Sequence, residues 1–248
     1  MRNFPQTSLK KYVLSVPEDK KDYEQLTKLG SQWISLMAKN KLQYECEWFG
    51  IPIIQSPEDI LLMQELIFKV RPDVILDIGI AHGGSAIFYS SMLELLGKGR
   101  VIGVDIDIRK HNREVIEKHP FFDRIELIEG SSISEEIVNL IKSKIKLHET
   151  VLISLDSNHT RDHVLQELRK YWSLVPIGSY IVVFDTVSSD LAKSGATDVN
   201  YTNNSYVNNS PAEAVDLFLK ENSHFEIDKS YNKLFISHCR DGFLKRIG

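Results

Sequence analysis

The sequence predicts a doubly wound α/β domain built on a mostly parallel sheet, and three observations carry that reading. Five short, nearly continuous apolar runs, at residues 74–78, 101–104, 125–128, 151–155 and 180–184, alternate with stretches of helical character. That is the pattern of parallel strands buried on both faces by helices. Acidic residues stand at the ends of four of these runs, namely Asp77, Asp105, Asp156 and Asp185, on the rim where open α/β sheets gather ligands. After the fifth run come two short β-like segments, residues 225–228 and 234–238, around Asn232-Lys233. They read as a C-terminal antiparallel hairpin that completes a seven-stranded sheet.

Residues 1–50 read as an N-terminal helical appendage to a domain of residues 51–248. Tyr23, Leu26, Leu29, Trp33, Ile34 and Met37 recur near helical spacing and predict one amphipathic helix over residues 22–39. Trp48-Phe49-Gly50-Ile51-Pro52 follows as an aromatic loop, read as a packing or subunit contact, with a wall of the site as the alternative. Ser56 is placed to cap the next helix, Pro57 suits its first position, and Glu58 and Asp59 meet the positive end of its dipole. Further helices are predicted over residues 84–96, 109–118, 134–144 and 160–174, with Gly178 turning the chain into the fifth strand. Residues 186–210 are rich in Ser, Asn, Thr and Asp, and a loop of that length in a small domain is usually functional or mobile. We expect a lid over the site there. Asn203-Asn204-Ser205 and Asn208-Asn209-Ser210 match the glycosylation pattern, which is read as accidental in a chain without a secretion signal. One more helix, near residues 211–221, precedes the hairpin.

Composition narrows the class. With 248 residues, 42% hydrophobic and 26% charged, the chain suits one α/β core and not a disordered segment. A formal net charge of -4 speaks against a dedicated nucleic-acid binder. Cys46 and Cys239 are the only cysteines and lie far apart, so a reduced, cytoplasmic enzyme is expected over a disulfide-stapled fold. The first twenty residues are polar and interrupted by Pro5 and Pro17, unlike a signal peptide. No apolar stretch approaches the ~18 residues of a membrane span.

The turn after the first strand, Asp77-Ile78-Gly79-Ile80-Ala81-His82-Gly83-Gly84-Ser85, is where a ligand can approach the backbone closely. Its spacing is not G-x-G-x-x-G, which weakens a nicotinamide reading. An acid at that strand end suits a cofactor with a cationic end, such as the amino-acid portion of S-adenosylmethionine. Asp105 is placed to accept from both ribose hydroxyls, Ser131 and Ser132 to border the adenine, and His82 to line the pocket. The alternatives are a turn without a ligand at Asp77 and helix caps at Ser131 and Ser132. Asp156 and Asp185, on neighbouring strand ends, can reach one hard divalent cation such as magnesium. His159, three residues past Asp156, is placed to take a proton from a hydroxyl held there. Each of these acids and this histidine has a purely structural alternative when taken singly; their joint position favours chemistry.

On GIAHGGSAIFYSSMLELLGKGRVIGVDIDIRKHNR, HPFFDRIELIEGSS, LDSNHTRDHVLQELRKYWSLVPIGSYIVVFDT and FEIDKSYNKLFIS followed by DGFLKR, the chain resembles the cephalosporin hydroxylase family, which is related to sugar O-methyltransferases. The resemblance runs over about residues 48–246. It implies a Rossmann-like class I methyltransferase fold, S-adenosylmethionine as donor, a magnesium-type ion, a saccharide or glycosylated acceptor and a homo-oligomer. Residue by residue it puts the first metal carboxylate at Asp156, which also borders the cofactor, the general base at His159 and the second carboxylate at Asp185. Characterised relatives of this type carry an acidic pair at the fifth strand end, where this chain has Phe184-Asp185. Either Thr186 or water then completes the shell, or metal affinity is reduced; the catechol O-methyltransferase type instead has Asp-Asn at that strand end, which aligns with Asp185 and Thr186. A hydroxylase, an N-methyltransferase and a non-catalytic S-adenosylmethionine-binding scaffold stay open as rival readings.

Overall fold

Strands buried on both faces must be covered on both faces, and the helices between them do that. The computed structural model describes residues 19–193 and 206–248. It opens with α1 (Lys20–Lys39), then a short hairpin of β1 (Glu47–Trp48) and β2 (Ile51–Pro52). Next come α2 (Pro57–Val70), β3 (Val74–Ile78), α3 (Gly84–Leu96), β4 (Arg100–Asp105), α4 (Lys110–Glu117), β5 (Ile125–Glu129), α5 (Glu135–Lys144), β6 (Val151–Leu155), α6 (Arg161–Tyr171) and β7 (Tyr180–Val183). The chain closes with α7 (Ser188–Lys193), α8 (Pro211–Glu221), β8 (Phe225–Ile227) and β9 (Phe243–Arg246).

Among the described residues seven strands form one sheet in the order β5-β4-β3-β6-β7-β9-β8. The first five in that order are parallel, and β9 runs antiparallel to both β7 and β8. The chain travels outward from β3 to β5 and then returns to β6, so the strand order reverses at β3. That reversal opens a crevice at the carboxyl ends of the strands. Asp77 of β3 lies in register with Gly103 of β4 and Ser154 of β6, which sets the acidic strand ends side by side.

The period of two along each strand divides the core. Ile75, Val101, Leu152, Tyr180, Val182 and Phe243 pack under α2 and α3, with Leu62, Leu66, Phe88 and Tyr89. Val74, Leu76, Ile102, Ile153, Ile181 and Leu244 face the helices of the other layer, with Ile141, Leu168, Val215 and Phe218. The aromatic loop is a packed hairpin. Phe49 and Gly50, both with positive φ, make its two-residue turn. Trp48 packs edge-on against Phe88 and donates from Nε1 to Ser91 Oγ at 3.0 Å.

One expectation changes. Residues 234–238 are not a strand; the hairpin partner of β8 is β9. The reason lies at the start of α2, where two buried acids capture the segment's donors. Glu58 accepts from the amides of Leu234 (2.8 Å) and Ile236 (2.7 Å), and Asp59 accepts from the His238 amide (3.0 Å) and the Ser237 hydroxyl (2.5 Å). Amides bonded to carboxylates are lost to a sheet ladder. The start of the expected lid is helical, as α7, while residues 194–205 lie outside the described residues. Within the expected appendage α1 packs on the rest of the chain: Ile34, Met37 and Ala38 are buried, and Tyr23 stacks edge-on with Phe235 at 5.2 Å.

Candidate active site

The glycine turn brings two strand ends into contact. Gly79 has φ +96°, and a Cβ there would sit 2.1 Å from the Asp156 carbonyl oxygen, so only glycine lets β3 and β6 meet this closely. The Asp156 amide donates to the Ile78 carbonyl at 2.8 Å in the same contact. A Cβ on Gly84 would lie 2.2 Å from the Pro52 carbonyl oxygen, which presses the start of α3 against the β2 loop. Asp105 fastens the other side of the turn: its Oδ2 accepts from the Ala81 amide at 2.9 Å and its Oδ1 from the Asp107 amide at 3.2 Å.

Over this rim lies a cavity of about 450 Å³, bordered by Gly79, Asp105, Ser131, Ser132, Asp156 and His159, with Ile106, His163 and Tyr206 among its other lining residues. Of the residues expected at the cofactor, these first five line it directly. His82, Gly84 and Ser85 line a separate crevice of about 30 Å³ on the far side of Gly79, which also touches Asp156. Gly83 supplies a positive φ to the turn and borders neither space. Asp77 is fully buried beneath them. Its Oδ2 accepts from Ser85 Oγ at 2.7 Å, and its Oδ1 has no partner among the described residues. Burial, opposed by the Ser85 bond and reinforced by the charges of Asp156 and Asp105, pushes the Asp77 carboxyl up to about 8.

Ser132 is held from behind. Its hydroxyl donates to Glu167 Oε1 at 2.6 Å, and Ser157 Oγ donates to the same oxygen at 2.6 Å. His163 Nε2 lies 3.1 Å from it, and the Tyr171 hydroxyl donates to the Ser132 carbonyl at 2.6 Å. Sequence reasoning missed Glu167, a fully buried acid on α6; its signal was the four-residue spacing from His163, which puts both on one helix face.

The second group converges at the mouths of β6 and β7. His159 sits between two carboxylates, with Nε2 3.3 Å from Asp156 Oδ1 and Nδ1 3.0 Å from Asp185 Oδ2. Asp185 has φ +54°, a left-handed backbone that turns the chain out of β7. That turn is locked by the Ser188 amide (3.0 Å) and hydroxyl (2.7 Å) donating to the Asp185 carbonyl. His238, which the sequence reading placed in a strand and so overlooked, meets the other Asp185 oxygen, Nδ1 to Oδ1 at 3.2 Å. Burial would lower the His159 imidazole, but Asp185, Asp156 and Glu167 outweigh it and bring it to about 9. Burial and the neighbouring Asp185 charge raise Asp156 against the His159 bond. His238 is also raised, because Asp185 prevails over its burial.

One ligand atom each from Asp156, His159 and Asp185 lies within 4.8 Å of the others. Two carboxylates and an imidazole fit a divalent cation by donor chemistry. Thr186, expected as a ligand, is engaged elsewhere. Its hydroxyl donates to the carbonyls of His238 (3.1 Å) and Arg240 (2.7 Å), and so pins the end of β7 to the last turn.

This strand order, with the cleft at the reversal and the acid-histidine cluster beside it, defines the class: an S-adenosylmethionine-dependent methyltransferase of the class I fold. The family described as Rhamnosyl O-methyltransferase/CmcI matches residues 40–247, and the chain belongs to that family. It is 26% identical to a rhamnosyl O-methyltransferase of Mycobacterium leprae over 206 residues, covering 80% of this chain and 82% of that one. It is 27% identical to the Mycobacterium tuberculosis (strain H37Rv) rhamnosyl O-methyltransferase over 141 residues, 56% of each chain. Among solved structures, CmcI in its Mg-SAM form superposes with a TM-score of 0.55 at 15% identity, covering 100% of this chain and 88% of that one. An O-methyltransferase from Bacillus cereus in complex with SAH gives 0.52 at 17% identity, covering 86% and 84%.

Proposed function

We propose that this methyltransferase moves the methyl group of S-adenosylmethionine to a hydroxyl of a saccharide or glycosylated small molecule, with a divalent cation at Asp156 and Asp185 and His159 as the base. The observation that carries the reading is the position of the His159 imidazole, within 3.3 Å of both carboxylates at the edge of the cavity. The rhamnosyl O-methyltransferases among its relatives support an oxygen acceptor on a sugar.

Each residue has a task. Asp105 offers its carboxylate at the cavity rim to ribose hydroxyls, and Ser131 and Ser132 border the space beyond it for a base edge. Ser132 presents a fixed face because Glu167 holds its hydroxyl. Asp156 and Asp185 present oxygens to a shared cation, and His238 holds the second oxygen of Asp185. Bound there, a divalent ion would lower the pKa of a coordinated acceptor hydroxyl and orient it. The charges of Asp156 and Asp185 hold the His159 imidazole protonated up to about pH 9. With that charge offset by a cation shared between the two carboxylates, neutral His159 accepts the hydroxyl proton as the oxygen attacks the methyl carbon and the S–CH3 bond breaks. Proximity of acceptor and donor supplies much of the remaining acceleration.

The test is turnover of Mg2+-loaded enzyme with glycosylated acceptors, wild type against His159→Ala, alongside calorimetric binding of S-adenosylhomocysteine. Turnover should fall by ~10²–10⁴-fold with donor affinity unchanged. Parallel loss of affinity and rate would remove His159 from the base role.

A further inference from the structure

The crevice on the far side of Gly79 holds a side chain that the scheme above does not use. Gln55, in the loop between β2 and α2, is 5% exposed, and neither its Oε1 nor its Nε2 has a hydrogen-bond partner among the described residues. Asp156 and Tyr89 lie near enough to feel the amide dipole, yet neither makes a bond of acceptable geometry with it. A buried amide with both ends unsatisfied is costly, and natural structures keep such groups where something else completes them.

What would complete it follows from the surroundings. Gln55 shares the crevice with His82, Gly84, Ser85 and Asp156, and Gly79 and Asp156 border both the crevice and the large cavity. A ligand whose nucleoside lies along Asp105 and Ser131 therefore reaches Gln55 with whatever extends past Gly79. The amide offers one donor and one acceptor side by side, a match for an ammonium and a carboxylate on one carbon. At about 30 Å³ the crevice admits small polar groups and no ring.

Resting on the donor assignment above, we propose that Gln55 recognises the α-amino-acid end of S-adenosylmethionine, Nε2 donating to its carboxylate and Oε1 accepting from its ammonium. Gln55 is thus a specificity residue that separates the full donor from nucleosides lacking the amino-acid tail.

The experiment compares two ligands on the full chain by calorimetry: S-adenosylhomocysteine, and 5′-methylthioadenosine, which keeps the nucleoside thioether and lacks the amino acid. Gln55→Met keeps the side-chain shape and removes both polar atoms; Gln55→Ala is the second variant. Both should weaken S-adenosylhomocysteine about tenfold or more and leave 5′-methylthioadenosine within about twofold. The Met variant without ligand should melt at or above the wild-type temperature, because an unsatisfied amide has gone. Equal weakening of both ligands, or unchanged S-adenosylhomocysteine affinity, would overturn the proposal while leaving the methyltransferase reading intact. A wild type that binds neither nucleoside would overturn both.

Discussion

Asp77 gives the most quantitative handle on this site. Its carboxyl is fully buried, with one oxygen on Ser85 and the other bare, and its pKa is raised to about 8. The folded protein therefore keeps Asp77 protonated while the unfolded chain ionises it near the ordinary value. The sign follows: the contribution of Asp77 to stability is fully present below pH ~4 and is lost as pH rises through about 8. Over that window of about four units the slope is ~1.4 kcal/mol per unit, for a total of the order of 5 kcal/mol. Asp77→Asn keeps the shape and the acceptor for Ser85 but cannot ionise. Urea unfolding of both proteins at pH 4, 5, 6, 7 and 8 should show near-equal stabilities at pH 4. The variant should gain on wild type by ~1 kcal/mol per pH unit upward. Taking the difference between two proteins cancels the other titrating groups. A gap that stays flat from pH 5 to 8 would mean Asp77 ionises in the folded state, and the burial argument would fail.

Other expectations follow from single contacts. Gly79→Ala puts a Cβ 2.1 Å from the Asp156 carbonyl at φ +96° and should cost ~2–4 kcal/mol in urea unfolding. Donor binding should fall with it, since the β3–β6 contact forms the cavity edge; a stable, fully binding variant would contradict the clash. Glu167→Ala strips the acceptor from Ser132 and Ser157 and should lower the melting temperature, with ~2–4 kcal/mol lost. Glu167→Gln, which keeps an acceptor oxygen, should lose less. His238→Ala removes the imidazole that holds Asp185 Oδ1 and should weaken Mn2+ binding ~10–100-fold by calorimetry. Unchanged Mn2+ affinity would reduce His238 to a packing residue.

Much of this was legible before the fold. Parallel strands announce themselves by uninterrupted apolar runs, and acids at their ends fall where the sheet opens, so Asp105, Asp156 and Asp185 share one rim, while Asp77 lies buried just beneath it. His159 followed because three residues past a strand end is still the rim. What escaped was set by contacts distant in sequence. Residues 234–238 alternate like a strand, but Glu58 and Asp59, some 180 positions earlier, take their amides. That capture also delivers His238 to Asp185. Glu167 escaped for a related reason: its spacing from His163 puts the two on one helix face but does not say that this face is buried. Gln55 was not singled out, since nothing in its own stretch of sequence marks a buried amide.

Phe184 bears on how strongly the site needs its cation. Tyr180 and Val182 of β7, and Phe184 just past its end, pack in the layer under α2 and α3. Position 184 therefore points into the core, and only the left-handed turn at Asp185 brings the next side chain to the rim. An acid at 184 would have to bend that strand end outward to reach an ion. Without it the cluster holds two carboxylates where three would bind more tightly, since each adjacent charge contributes strongly to a divalent ion in a partly buried site. Two outcomes separate the consequences. If the cation is needed to acidify the acceptor, Mg2+ will support turnover with a weak, saturating dependence, and chelation will abolish it reversibly. If turnover after chelation equals turnover with saturating Mg2+ and climbs with pH toward about 9, where the imidazole loses its proton, neutral His159 deprotonates the acceptor unaided and the carboxylates serve the imidazole alone.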